Sequence, residues 1–195
     1  MIVLCGVDGA GKTSVATEVA RHKAIPYYWK RNFAIFCRIV NLLAKITGHN
    51  RVDEINGIKV GIHQYNNFYK YLYFVTFSLD VALLAIFYLL TPKRRIIADR
   101  GVLDFVVDVI VSTRSPKIIM FISHLLLKIV VKKYFVVLID CRRDIILSRR
   151  PDVVADKHRL VRHYFYRHLG SRYSLLSYRS ENYSAKDIAL ALINE

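Results

Sequence analysis

Short apolar runs alternate with longer helical stretches along this chain. Ile2 to Cys5 is a β-branched, apolar run that predicts a strand. A glycine-rich segment follows it, and then a helix from Val15 to Lys23. Pro26 opens Tyr27-Tyr28-Trp29-Lys30-Arg31, read as a second strand rich in aromatics, and a helical run follows from Phe33 to Lys45. Thr47 to Gly61, with Gly48, Gly57 and Gly61, reads as an irregular connection. From Ile62 the pattern is helical through Leu90 and stops before Pro92. The basic patch Lys93-Arg94-Arg95 leads into a strand at Ile96-Ile97-Ala98, ended by Asp99-Arg100-Gly101. Helices are predicted from Leu103 to Ser112 and from Lys117 to Val131, with Tyr134 to Asp140 as a continuous apolar run of the kind buried in a parallel sheet. Beyond it come a helix containing Ile145 to Arg149, the basic turn Arg149-Arg150-Pro151 and a helix from Val154 to Leu169. A short strand from Tyr173 to Tyr178 follows, and a last helix opens on the capping box Ser184-Ala-Lys-Asp187.

Strands alternating with helices predict an α/β fold in three layers, a parallel sheet covered by helices on both faces, with ligands at the carboxyl ends of the strands. The 195 residues contain no internal repeat or linker stretch, so a single domain over 1–195 is expected. One stretch, Leu72 to Leu90, is long and apolar enough to raise a membrane-spanning alternative. Asp80 in its middle argues against that, because a mid-bilayer carboxylate costs about 2.5–3.5 kcal/mol.

Composition narrows the function classes. At 54% hydrophobic residues the chain is too apolar for a disordered linker. Its three cysteines, Cys5, Cys37 and Cys141, form neither a disulfide framework nor a zinc pattern. A charged leader region is missing before Ile2, so a cytoplasmic location is expected. With 30 Lys and Arg against 15 Asp and Glu, the net charge of +15 attracts polyanions, and net charge alone does not separate nucleic acid, anionic lipid and phosphorylated small molecules.

Chemistry enters with Gly6, Val7, Asp8, Gly9, Ala10, Gly11, Lys12 and Thr13, which satisfy G-x-x-x-x-G-K-[ST] between a predicted strand and a predicted helix. Glycines let the backbone turn its N–H groups inward, and the positive helix end that begins near Ser14 adds to the attraction for phosphate. Lys12 is placed to reach the β- and γ-phosphates of ATP, and the Thr13 hydroxyl to ligate Mg²⁺. No guanine-reading Asn-Lys-x-Asp segment is present. The basic stretch at 149–156 has the make-up of a lid over a second substrate.

These features together resemble the thymidylate kinase family, over most of the chain. The P-loop form with Asp8 inside it, the Asp99-Arg100 pair ending a strand, Ile139-Asp140-Cys141 leading to Arg149, and Tyr166-Arg-His-Leu169 carry the resemblance. It implies a nucleoside monophosphate kinase-like P-loop fold and transfer of the γ-phosphoryl group of ATP to dTMP with Mg²⁺. It also implies roles for single residues. Asp8 would face the acceptor, Asp99 would hold the metal with Thr13, and Arg100 would bridge donor and acceptor. Arg149 and Arg150 would supply lid charge, since Gly9 is not the arginine that other members carry there. Phe77 would stack on the base, Arg31 would meet the acceptor phosphate, and Asp80 would stand on the acceptor side of the long helix.

Other readings stay beside these. Phe77 also suits a core position, Arg31 a solvated strand end, Arg149 and Arg150 a helix C-terminus, and Asp140 a structural hydrogen-bonding role. Asp80 is followed by Val81 where the family usually has Arg, and Arg142-Arg143 replaces its Asp-Pro. A nucleoside or another small metabolite is therefore an alternative acceptor, and a basic nucleic-acid- or membrane-associated ATP-binding protein a more distant one. The resemblance further implies a homodimer that covers the long apolar helix, with neither a membrane span nor a specific nucleic-acid partner.

Overall fold

A computed structural model describes residues 1–23, 26–29, 35–49, 51–55, 58–62, 67–90, 97–149 and 159–194. Its strands are β1 (Ile2–Cys5), β2 (Tyr27–Trp29), β3 (Arg51–Ile55), β4 (Ile58–Ile62), β5 (Ile97–Asp99), β6 (Phe135–Asp140) and β7 (Leu176–Arg179). The helices are α1 (Lys12–Lys23), α2 (Phe36–Ile46), α3 (Asn67–Leu90), α4 (Val102–Thr113), α5 (Pro116–Lys133), α6 (Arg143–Arg149), α7 (Arg159–Arg172) and α8 (Ala185–Asn194).

Five strands form one sheet in the order β2-β5-β1-β6-β7, and every neighbouring pair is parallel. The chain leaves β1 toward β2 in one direction, whereas β5 to β6 and β6 to β7 run in the other. Right-handed crossovers therefore put α1 on one face and α4, α5 and α7 on the other. Helix packing agrees with this: α1 meets α8, while α3, α4, α5 and α7 form a connected layer. The central strands are apolar on both sides, with Val3, Leu4, Cys5, Val137 and Ile139 buried, as a doubly covered sheet requires. The three-layer α/β fold expected from the alternation is the observed one.

Between 47 and 61 the chain is more ordered than its glycines suggest. β3 and β4 pair antiparallel as a hairpin with Ile55 opposite Ile58. The cue was Asn56-Gly57, the pair that suits a two-residue hairpin turn; those two residues lie outside the described ones. Ile62, where the long helix was expected to start, closes β4, and the helix starts at Asn67.

Helix α3 is two-sided. Tyr69, Tyr73, Phe77, Val81, Leu84 and Tyr88 are buried, while Phe68, Tyr71, Val75, Leu79, Leu83 and Ile86 stand exposed along the other side. Among the described residues it is the one helix long and apolar enough to cross a membrane, and only 33% of its most apolar window is buried.

Candidate active site

β1 and β6 are neighbours whose onward connections leave in opposite directions, so a crevice opens at their carboxyl ends. The glycine loop fills it. Gly6 has a φ of +140°, and a Cβ there would lie 2.1 Å from the Ile139 carbonyl oxygen, so the turn out of β1 against β6 admits only glycine. Helix α1 then starts at Lys12 itself, which aims its first N–H groups back into the loop.

The lysine is buried to 5% exposure and donates to the carbonyl oxygens of Gly6 at 2.5 Å and Val7 at 2.9 Å. Asp8 links two cations: its Oδ1 lies 3.7 Å from the Lys12 ammonium and accepts from the Arg100 guanidinium at 2.5 Å. The Thr13 hydroxyl donates to Asp99 Oδ2 at 2.5 Å. Asp99 comes from the end of β5, in register with Leu4 of β1, so strand pairing carries it to the loop.

Arg100 is held by backbone as well as by charge. Its N–H donates to the Leu4 carbonyl at 3.1 Å, and its φ is +84°. That conformation costs a non-glycine residue on the order of 1 kcal/mol, a strain of the kind concentrated at functional sites. The next residue, Gly101, has no room for a side chain, since a Cβ would fall 2.4 Å from Val3 Cγ1. Its N–H donates to Asp104 Oδ2 at 2.9 Å, while the Tyr166 hydroxyl donates to Asp104 Oδ1 at 2.8 Å. Burial pushes the Asp104 carboxyl above its ordinary range, against the pull of the nearby Lys12 charge. This buried pair ties α7 to the turn that presents Arg100.

The cleft has a volume of about 360 Å³ and is bounded by the loop, Arg100, Arg149, Ser180 and the start of α8 at Ala185 and Ile188. Arg149 donates to the Ser180 hydroxyl at 3.0 Å and to its carbonyl at 3.3 Å. Ser180, Ala185 and Ile188 escape a reading by motif. Their signal lies in topology: the β7-to-α8 turn sits on the same carboxyl edge as the glycine loop. The capping box expected at Ser184 is present, with Ser184 and Asp187 exchanging hydrogen bonds.

On the acceptor side the expected residues are scattered. Phe77 has no exposed surface and packs on Phe105 with ring centroids 5.3 Å apart, which makes it a core residue rather than a cleft wall. Asp80, 1% exposed, accepts from the backbone N–H groups of Ile35, Phe36 and Cys37 at 2.9, 3.1 and 2.9 Å. It caps the start of α2 from a neighbouring helix, because those three donors have no helical partner of their own. Arg31, Arg150 and the rest of the 149–156 stretch beyond Arg149 lie outside the described residues. Asp140 has the structural role weighed for it: it accepts from His163 Nε2 at 2.7 Å, Arg167 Nε at 2.9 Å and the Cys141 N–H at 2.9 Å. Arg162, which pairs with Asp108, was missed by the motif reading. It is close enough to Asp8, Arg100 and Asp104 to feel their charges.

Hard oxygen donors at Thr13 and Asp99, side by side at the cleft, fit Mg²⁺, which binds through one or two protein oxygens and completes its shell with phosphate and water.

No family model and no curated protein matches the chain. Solved structures do. A deoxyadenosine kinase from M. mycoides with bound dATP matches at a TM-score of 0.58 and 11% identity, over 100% of this chain and 99% of that one. With bound dCTP the same enzyme gives 0.54 and 13%, over the same shares. The YorR protein of Bacillus subtilis, in complex with phosphorylated GDP, gives 0.52 and 16%, over 99% of this chain and 93% of that one. The chain has the P-loop kinase fold. At these identities the likeness is one of architecture, and the chemistry rests on the residues described above.

Proposed function

We propose that this protein is a Mg²⁺-dependent kinase that moves the γ-phosphoryl group of ATP to a nucleotide-class acceptor, with dTMP the acceptor its motifs favour. The observation that carries the reading is the convergence of Lys12, Arg100, Asp8, Thr13 and Asp99 on one glycine loop. The loop N–H groups and the Lys12 ammonium bind the donor phosphates, and Arg100 and Arg149 bring fork-shaped charge to the group in transfer. Mg²⁺ held by Thr13 and Asp99 would offset charge between the β- and γ-phosphates. Attack by an acceptor phosphate oxygen needs little proton transfer, so catalysis comes from alignment and fixed charge. Asp8 keeps Arg100 aimed across the cleft, and the basic stretch at 149–156 acts as the lid that keeps water out.

A nucleoside acceptor is the second reading. It is favoured by the engagement of Asp80 with the α2 backbone and of Phe77 with the core, and by the architectural likeness to a deoxyadenosine kinase. The exposed stripe on α3 supports the expected homodimer, because a second copy would remove those side chains from water. Neither a nucleic-acid partner nor a membrane span forms part of this reading, and its setting is cytoplasmic.

ADP release from ATP and Mg²⁺ in the presence of each common nucleoside monophosphate and each matching nucleoside tests the proposal, with Lys12→Ala as the blank. Turnover confined to dTMP is the expected result. Turnover with nucleosides alone moves the protein to the second reading, and no turnover with any of them rejects both.

A further inference from the structure

On the other side of α7 from its ties to Asp140, a groove of about 680 Å³ runs between α5 and α7. It shares no residue with the phosphate cleft. We propose that this groove is a second binding site, for a small planar aromatic anion.

The walls argue for a flat ring. Met120, Phe121, Leu125, Tyr164 and Phe165 line the groove, and several are left in water: Phe121 is 85% exposed, Leu125 66% and Tyr164 64%. Tyr164 and His168 stack with their planes within 10° and centroids 6.1 Å apart, and Phe165 meets Tyr164 edge-on at 5.3 Å. Ring faces of this kind gain most from another ring laid against them. They suit it better than the branched side chains of a partner helix.

Charge selects an anion. Lys117 and Arg172 stand on the lining, joined by the imidazoles of His124 and His168, and no carboxylate lines the groove among the described residues. His124 is oriented by Tyr173, whose hydroxyl lies 3.0 Å from Nδ1. An ammonium and a guanidinium beside an apolar floor offer charge-assisted hydrogen bonds to a carboxylate, sulfonate or phosphate whose ring occupies the floor. The volume falls within the roughly 300–1,000 Å³ of small-molecule sites.

The test uses 2-naphthyl phosphate as the probe, followed by its fluorescence and by calorimetry, with the phosphate cleft saturated by a non-hydrolysable ATP analogue and Mg²⁺. One-to-one binding is expected. It should weaken at least about tenfold in the double variant Lys117→Glu/Arg172→Glu and in Phe121→Ser. All three groove positions are exposed, so unchanged melting curves will show that these variants fold. Neutral 2-naphthol should bind at least about tenfold more weakly than the phosphate. Displacement of the probe by dTTP or ATP identifies a nucleotide as the natural anion, and displacement by 2-naphthoate alone identifies an aromatic carboxylate; both support the site. No binding, binding indifferent to charge reversal, or equal binding of 2-naphthol overturns it. So does probe binding that vanishes as the protein self-associates and returns with a variant that stays monomeric, which would assign the groove to a second copy.

Discussion

The two halves of the cleft are held together differently. On the proposed donor side, eight consecutive residues at one strand-to-helix junction build the glycine loop, and their geometry is mostly backbone geometry. On the acceptor side, the candidates sit on separate elements: Asp8 and Arg100 stand at the cleft, paired with each other, whereas Asp80 is engaged by the α2 backbone and Phe77 by Phe105. A site made of main chain travels with its motif. A site made of side chains depends on what each side chain meets once the elements pack.

The largest test of that contrast is Lys12→Ala. Loss of the ammonium should lower turnover about 10³-fold while the melting temperature barely moves, because the lysine's partners are two carbonyls and a partly solvated carboxylate. A loss under about tenfold would mean that the loop is not where the transferred phosphate is held.

Phe77→Ala comes next. Removal of a fully buried ring should cost about 3–4 kcal/mol in urea unfolding and leave the relative turnover of dTMP and thymidine unaltered. Unaltered stability with a changed acceptor preference would return Phe77 to the cleft.

For Asp80→Asn the expected cost is about 2 kcal/mol, from loss of a charged acceptor for three N–H groups at the α2 start. The acceptor KM should stay within about twofold. A tenfold rise in KM at constant stability would make Asp80 a substrate contact instead.

Asp140→Asn has the smallest effect and a pH signature. Burial alone would raise this carboxyl, but hydrogen bonds from His163 and the Cys141 N–H, with Arg167, outweigh it and hold the group below the ordinary carboxylate range. A depressed folded value means that the stabilisation is present above the unfolded value of about 4 and is lost as pH falls through the lower folded one. The variant should be about 1 kcal/mol less stable at pH 7, modest because Arg167 is half exposed. That gap should close in urea titrations carried down toward pH 3, and a gap that widened in acid would contradict the assignment.

Much of the fold was legible from local pattern. The strands at Ile2 to Cys5 and Tyr134 to Asp140 and the helices after them follow from apolar runs and periodicity, and the observed elements begin and end within a few residues of the expected ones. The β3–β4 hairpin was hidden because three glycines outweighed the Asn56-Gly57 cue and the short strands on either side of it. Ser180 and Arg162 were illegible for a different reason. Neither belongs to a motif: Ser180 reaches the cleft because β7 lies beside β6, and Arg162 comes near the charges of Asp8 and Arg100 because α7 packs on α4.

By itself, the order of residues determined that a glycine loop of the G-x-x-x-x-G-K-[ST] pattern would stand between a strand and a helix in a parallel α/β sheet. Glycine positions and hydrophobic spacing act over a few residues, where chain connectivity already sets the distances. Only the tertiary structure decided that Asp8 would clasp Arg100 from 92 positions away, and that Asp99 would meet Thr13 across 86. It also turned Asp80 inward to cap a helix 43 to 45 positions earlier. Partnerships of this kind are set by sheet register and helix packing, and a charged side chain that is drawn into the interior takes the donors it finds there.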